Sequence, residues 1–429
     1  MTTVRDLLVA LLRDAGVARV VGERPLADFA HVPCSDPDLA CLLADVDGRV
    51  NGGYGAALLE GPILHVSSRI GGTAPLTRVT TVDELVAALA SLDPRGPLAT
   101  VALHLDLDLD AELAQMPERP APERDVVLML DPELAQLRLA VVAGPGVVRA
   151  EAAEDLLSLA TSMNVAVLNT WGAKGLFRWD SPFHGGTAGL QSRDWELAGV
   201  TEADVVIVSG LDPDEVDAHA LGNLVVQEVS PSQLGSLAAR WAPPTSPPHR
   251  PRLFDAIAEV VRPLYEDEGA PLSPARAALH LSGACPDGGV VIADADLAGF
   301  WVARAFPTGI PGSVVVAPQP MEGVGVAGAI MAGLAGRSAL AVTAHVGGVT
   351  DELLGIADAV GQPVSVQIWE DGGFTMSPAD HATLTEDQFA GRRAGLSGLA
   401  VRLDPTPLVE VAGAVDQRFS HEGLFDDAD

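Results

Sequence analysis

Four side chains toward the end of the chain have the types and spacing to do chemistry: Glu322, His345, Glu370 and Asp371. Three of them belong to one stretch, TAHVGGVTDELLGIADAVGQPVSVQIWEDGG at 343–373. It reads as an apolar strand, a turn, a helix, a second apolar strand, and an acidic pair ahead of two glycines. Glu322 opens a glycine-rich run, PMEGVGVAGAIMAGLAG. Ligands of open α/β sheets bind in the crevice outside the carboxyl ends of the strands, so all four groups are expected to face one crevice. His345, Glu370 and Asp371 together form a donor set for a transition metal. The same groups with Glu322 form acid–base couples, which makes all four candidate catalytic residues. Gly347, Gly348, Gly372 and Gly373 flank them and are the candidate places for a cofactor to meet the backbone. Each group also has a plainer role. His345 can be a loop histidine bonded to backbone, Glu370–Asp371 a solvated turn, and Glu322 an acid at a helix N-terminus.

The elements that must position these groups alternate along the whole chain. A helix over about 4–15 leads to the strand ARVVG and the apolar run PILHV. The helix TTVDELVAALASL follows, with Thr80 or Thr81 as its N-cap, and then the strand LATVALHLDL. A second series opens with LRLAVVAG and the helix AEAAEDLLSLATSM, and continues through VAVLNT and ADVVIVSG. A third contains GGVVIADADLAGFWVARAF, SVVVAPQP and the opening stretch. Strands that are continuous Val/Ile/Leu runs between helices predict parallel sheets buried on both faces. Proline-rich stretches at 116–125 and 241–252 read as linkers. The expected fold class is therefore α/β, with three doubly wound parallel-sheet domains at 1–115, 126–240 and 270–429.

Composition narrows the partners. Lys+Arg number 26 against 58 Asp+Glu, a formal charge of -32. Such a surface repels phosphate backbones and anionic lipid, so neither nucleic acid nor a membrane surface is expected as a partner. Cys34, Cys41 and Cys285 form no paired framework, which fits a reducing cytoplasm. The most apolar window, GVGVAGAIMAGLAG, is too short to span a bilayer and reads as a core helix. The last residues, HEGLFDDAD, read as an acidic tail without chemistry. Lys174 is the only lysine, and a structural role at its turn is favoured over a Schiff-base role.

The segment RLAVVAGPGVVRAEAAEDLLSLATSMNVAVLNTWGAKGLFRWDSPFHGGTAG, followed by ADVVIVSGLDPDE, resembles the central domain of the thiamine diphosphate-dependent enzymes of the acetolactate synthase and 2-oxoacid decarboxylase group. VVIADADLAGFWVARAF keeps Asp294 and Trp301 at that family's spacing. RVTTVDELVAALASLDPRGPLATVALHLDLDLD is similar to the last helix and strand of its pyrimidine-binding domain. The resemblance implies a pyrimidine-binding-like domain, here shortened, then a central domain, then a diphosphate-binding-like domain. It also implies a homodimer or homotetramer. Central domains of this kind hold FAD or ADP in some relatives and nothing in others. The turn AGPGVV is either a phosphate seat at a helix start or a simple strand–helix turn.

Against the resemblance stand three departures at the chemistry. Ala344-His345-Val346 occupies the place of the family's metal-binding Gly-Asp-Gly, and Glu370-Asp371 that of its Asn pair. Histidine is a poor magnesium ligand, and two carboxylates facing a diphosphate repel it unless a metal lies between. No glutamate occurs from Arg24 to Leu59 to activate the aminopyrimidine, and only Asp45 and Asp47 lie nearby. The shortening is expected to include the helix that should carry that glutamate. Glu322 stands where a bulky apolar side chain should wedge the cofactor, unless a one-residue slip puts Met321 there. Standard use of thiamine diphosphate with Mg²⁺ is therefore not expected, and the cofactor is left open. The function expected is an acetolactate synthase-like protein acting on a small 2-oxo acid or related carbonyl compound. The alternatives are a non-catalytic homologue that binds or regulates a partner, such as a full-length relative, and a thiamine diphosphate-dependent lyase or carboligase with variant ligands.

Overall fold

A computed structural model describes residues 2–115, 117, 137–216, 221, 225–238, 248–370 and 372–420. Most of the two proline-rich breaks, the acidic tail and Asp371 lie outside the described residues. The chain forms two compact units. The first comprises the described residues up to 124 with 326–336 and 347–363; the second comprises those from there to 325, with 337–346 and 364 onward.

The first unit contains α1 (Val4–Asp14), β1 (Arg19–Gly22), β2 (Ala30–Pro33), α2 (Pro37–Asn51), β3 (Gly55–Leu59), β4 (Ile63–Ser67), β5 (Leu76–Val79), α3 (Val82–Leu89) and β6 (Thr100–Leu105). α1 starts at a capping box, Thr3 with Asp6, and α3 at another, Thr81 with Glu84. These reciprocal bonds satisfy N–H groups that the helix itself cannot. The apolar stripe Leu7, Leu8, Leu11 and Leu12 of α1 enters one core with Val20, Ala56, Leu64 and Leu103 from the sheet. Strand order is β2-β1-β3-β4-β6-β5. The apolar run PILHV forms β4, which lies antiparallel to both β3 and β6, so this sheet is mixed and not wholly parallel. The cause is local: only Glu60, Gly61 and Pro62 separate β3 from β4, too few residues for a crossover.

The second unit carries two wholly parallel sheets. The first has the order β11-β10-β7-β8-β9, from β7 (Leu139–Ala143), β8 (Val167–Asn169), β9 (His184–Thr187), β10 (Val205–Ser209) and β11 (Val226–Glu228). Its helices are α4 (Pro145–Arg149), α5 (Ala153–Met163), α6 (Asp194–Leu197) and α7 (Leu234–Ala238). Alternation along β7 and β10 divides the side chains between two cores. Val141, Ala143, Val205 and Ile207 pack on one face, and Ala140, Val142, Val206 and Val208 on the other. Burial on both faces is why these strands read as unbroken apolar runs. Next come α8 (Arg252–Tyr265), α9 (Pro274–Ala284), β12 (Val290–Ala293), α10 (Leu297–Ala305) and β13 (Val314–Val316). The remaining elements of this unit are β14 (Ala339–Thr343), β15 (Ser365–Glu370), α13 (Pro378–Phe389), β16 (Gly395–Ala400) and α14 (Thr406–Ala412), while α11 (Val324–Leu334), but for its first two residues, and α12 (Gly348–Ala359) fall in the first unit. The third sheet is ordered β13-β12-β14-β15-β16. The glycine-rich window forms α11, whose Val326, Ile330 and Met331 are buried. Among the described residues no helix is long and apolar enough to cross a membrane.

Candidate functional site

β12 ends at Ala293 and is followed by Asp294-Ala295-Asp296, so two carboxylates stand at its carboxyl end. Asp296 is the N-cap of α10. Its Oδ1 accepts the Gly299 N–H at 2.8 Å, and its Oδ2 accepts the Ala344 N–H at 2.6 Å. The Thr343 hydroxyl lies 3.1 Å from the same Oδ2 and accepts the His345 N–H at 3.2 Å. Asp294 accepts the N–H groups of Gly325, at 2.7 Å, and Gly323, at 3.3 Å, where the chain turns into α11. Glycine is required at 299, because a Cβ there would overlap the Asp294 carbonyl oxygen. Two helix starts thus direct their free N–H groups at the chain's own acids.

Burial, and after it the Asp296 charge, pushes the Asp294 carboxyl up to about 7. Burial also raises Asp296, against the pull of its N–H donors and of nearby His345. An acid that keeps its proton toward neutral pH, beside a second buried acid, is suited to general acid–base work.

The residues expected from sequence are placed unevenly. Glu322, half-buried, precedes the Gly323 N–H that binds Asp294, and His345 is exposed on the loop after β14. Both therefore lie at the same sheet end as the two aspartates. Glu370 ends β15 and is exposed. A Cβ built at Gly398 would lie 3.0 Å from its Oε1, so this carboxylate leans over β16, away from the strand that carries His345. Asp371 lies outside the described residues. Among the described residues no group of three or more His, Cys, Asp or Glu is arranged to hold a metal ion. Of the glycines, Gly347 caps α12, while at Gly348 and Gly372 a Cβ would meet nothing within 4 Å. Gly373 is required, since a Cβ would overlap the backbone of Leu399 and Ala400. Its role is to bring Phe374 onto β16, where the Phe374 N–H reaches the Gly398 carbonyl at 3.0 Å.

Residues 135–236 match the family model described as thiamine pyrophosphate enzyme, central domain. Residues 135–236 thus form a central domain of the thiamine pyrophosphate enzyme type, and the chain as a whole shares the fold of one such enzyme. The fold evidence is a solved structure, the thiamine diphosphate-dependent 4-hydroxybenzoylformate decarboxylase of Rhodococcus jostii RHA1. It is similar at TM-score 0.64 and 15% identity, over 94% of this chain and 100% of that chain. No curated protein sequence matches.

The residues at the sheet end do not fit thiamine diphosphate with Mg²⁺. A magnesium ion takes hard oxygen ligands in an octahedron. Here the loop after β14 presents an imidazole, and the two buried carboxylates already accept four backbone N–H bonds. In the first unit, the stretch holding Asp45 and Asp47 forms a helix, α2. Both acids are committed inside it. Asp45 binds His65 Nε2 at 2.6 Å and the Gly71 N–H at 2.9 Å, while Asp47 binds Arg19 at 3.1 Å and Asn51 at 2.6 Å. At the AGPGVV turn the Gly146 N–H donates to the Gly210 carbonyl at 2.8 Å, so the chain itself takes one donor that a phosphate would use. Sequence reasoning passed over Asp296. Its signal was present: an acid directly ahead of an apolar helical run is an N-cap pattern.

Proposed function

We propose that this protein keeps the thiamine diphosphate enzyme fold without the standard cofactor–Mg²⁺ couple. It acts on a small 2-oxo acid or related carbonyl compound by acid–base chemistry at the carboxyl ends of β12 and β14. The observation that carries this reading is the Asp294–Asp296 pair, with Asp294 held at about 7, beside His345. In this reading the pair stores a proton and the exposed imidazole delivers it at the substrate. A metal-assisted version would use His345, Glu370 and Asp371. Self-association as a homodimer or homotetramer belongs to the same proposal. The test follows a panel of 2-oxo acids by NMR, with chelator present and thiamine diphosphate absent. Turnover falling about 100-fold or more in Asp294→Asn is expected for a general acid–base group. Turnover only when thiamine diphosphate and Mg²⁺ are added would contradict the proposal.

A second reading, a non-catalytic homologue that binds or regulates a partner, is favoured by one fact. The buried acids are engaged by the chain's own backbone. It predicts no turnover in any condition, and an Asp294→Asn effect confined to stability.

A further inference from the structure

In the second unit a cavity of about 390 Å³ lies between β9, α8 and α10, within the size range of small-molecule sites. Phe177, Leu253, Phe254, Ile257 and Val261 give it apolar walls, and Arg262 and Glu266 are exposed at its edge. Lys174 lines it. The backbone of Lys174 closes a turn, its N–H donating to Trp171, as the sequence suggests. Its side chain does something else: it is 9% exposed, in a chain of charge -32 that has no other lysine. Nζ has one hydrogen-bond partner among the described residues, Thr187 Oγ1 at 3.3 Å, although an ammonium has three protons to place. Buried Asp194 is already held by both carboxylate oxygens to Arg304 Nη2, at 2.9 and 2.8 Å. Two more polar atoms on this cavity are buried and unpartnered, Arg304 Nε and His184 Nδ1. Buried polar atoms without partners cost stability, so two of them beside an amine with a single partner at one apolar cavity point to a missing polar ligand group.

We infer that this cavity is a separate ligand site, in which the Lys174 amine takes a small aldehyde or ketone with an apolar substituent as a Schiff base. It stands apart from the sheet-end reading above. The apolar walls receive the substituent, and the Arg304 Nε–H is available to the carbonyl oxygen. Lys174 Nζ adds its lone pair to the carbonyl carbon, forming C–N as the C=O π bond opens. Water then leaves with the former carbonyl oxygen and two protons drawn from the amine, and C=N closes. The step needs no oxidant or reductant. Burial, and secondarily the Arg304 charge, pulls the Lys174 amine down to about 7, so it is largely the neutral nucleophile at slightly alkaline pH.

The sole lysine makes the test clean. The full-length protein is incubated at pH 7.5 with benzaldehyde and sodium cyanoborohydride, and benzylation is located by peptide mapping, which separates Lys174 from the N-terminal amine. In unfolded chain only about a thousandth of an ordinary lysine is neutral at that pH. Native Lys174 is therefore expected to label at least about tenfold faster than the same protein in urea. The rate should saturate with aldehyde, slow with the unreactive filler benzyl alcohol, and fall about tenfold in Ala258→Phe, which fills the cavity. Should that variant not fold, saturation and benzyl alcohol competition on the wild type decide. Labelling no faster than in urea, or unsaturable and indifferent to benzyl alcohol, overturns the inference.

Discussion

At the carboxyl end of the third sheet, Asp294 and Asp296 accept four backbone N–H bonds between them. In the cavity beside α8 and α10, Lys174 has one hydrogen bond, and His184 Nδ1 and Arg304 Nε have none. Both regions bury ionisable groups, and both move a pKa to about 7. What differs is the satisfaction of those groups. In the first, the acids' hydrogen-bonding oxygens are matched by backbone N–H groups, and removing them should cost the fold. In the second, polar atoms are left over, and removing them should cost little except a ligand. Perturbed acidity is common to both regions; the unmet hydrogen bonds are what set the cavity apart.

The largest expected effect breaks the satisfied side. Asp296→Ala strands the Gly299 and Ala344 N–H groups and removes the α10 cap, a loss of about 3 kcal/mol by urea titration. Under the same conditions Lys174→Met should stay within about 1 kcal/mol of wild type or gain stability, because a buried amine with one partner is replaced by an apolar chain. Equal losses in the two variants would erase the distinction.

The pH dependence sharpens it. Folded Asp294 keeps its proton up to about 7, whereas the unfolded chain loses it near the ordinary aspartate value of 3.8. Between those values the native state binds more protons, so this group makes stability fall as pH rises, and Asp294→Asn should remove that slope. Lys174 is displaced the other way, from 10.5 to about 7. Between those values the unfolded chain binds more protons, so its cost is complete below about pH 7 and disappears toward the upper value. The stabilising effect of Lys174→Met should follow the same course, vanishing in alkali. Urea melts at several pH values check both, and a pH-independent difference for either variant would show that its group is not the one titrating.

The smallest effect is expected at Glu370. It leans over Gly398 at the surface, so Glu370→Gln should change stability by no more than about 0.5 kcal/mol. A larger change would mean that this carboxylate is tied into the satisfied cluster after all.

Much of this was legible in the sequence. The Thr81 cap, the continuous apolar strands and the core character of α11 follow from local pattern, because hydrogen bonding and burial there are decided within a few residues. The direction of β4 was not read, since PILHV is apolar in either direction and only the short Glu60-Gly61-Pro62 connection fixes it. The sheet-end groups Glu322 and His345 were placed by counting to strand ends. Glu370 was placed likewise, but which neighbour its side chain leans on depends on the absence of a Cβ at Gly398 in another strand. The Lys174 side chain was the least legible. Its turn is local, but its cavity is assembled from α8, α9 and α10, distant in sequence.

The proposal that the fold of the thiamine pyrophosphate enzymes is kept here without the seat for the cofactor with Mg²⁺ stands or falls on cofactor binding. Isothermal titration calorimetry with thiamine diphosphate and Mg²⁺ tests it directly on the full chain. An imidazole stands in place of a metal-holding aspartate and the acids Glu370 and Asp371 in place of the family's Asn pair, and each like-charge contact with a diphosphate costs on the order of 1 to 4 kcal/mol. Two of these are enough to remove a micromolar affinity. The account predicts no binding heat at micromolar cofactor. Tight, Mg²⁺-dependent binding that disappears in Glu370→Ala would contradict it, by showing that these carboxylates recruit the metal themselves.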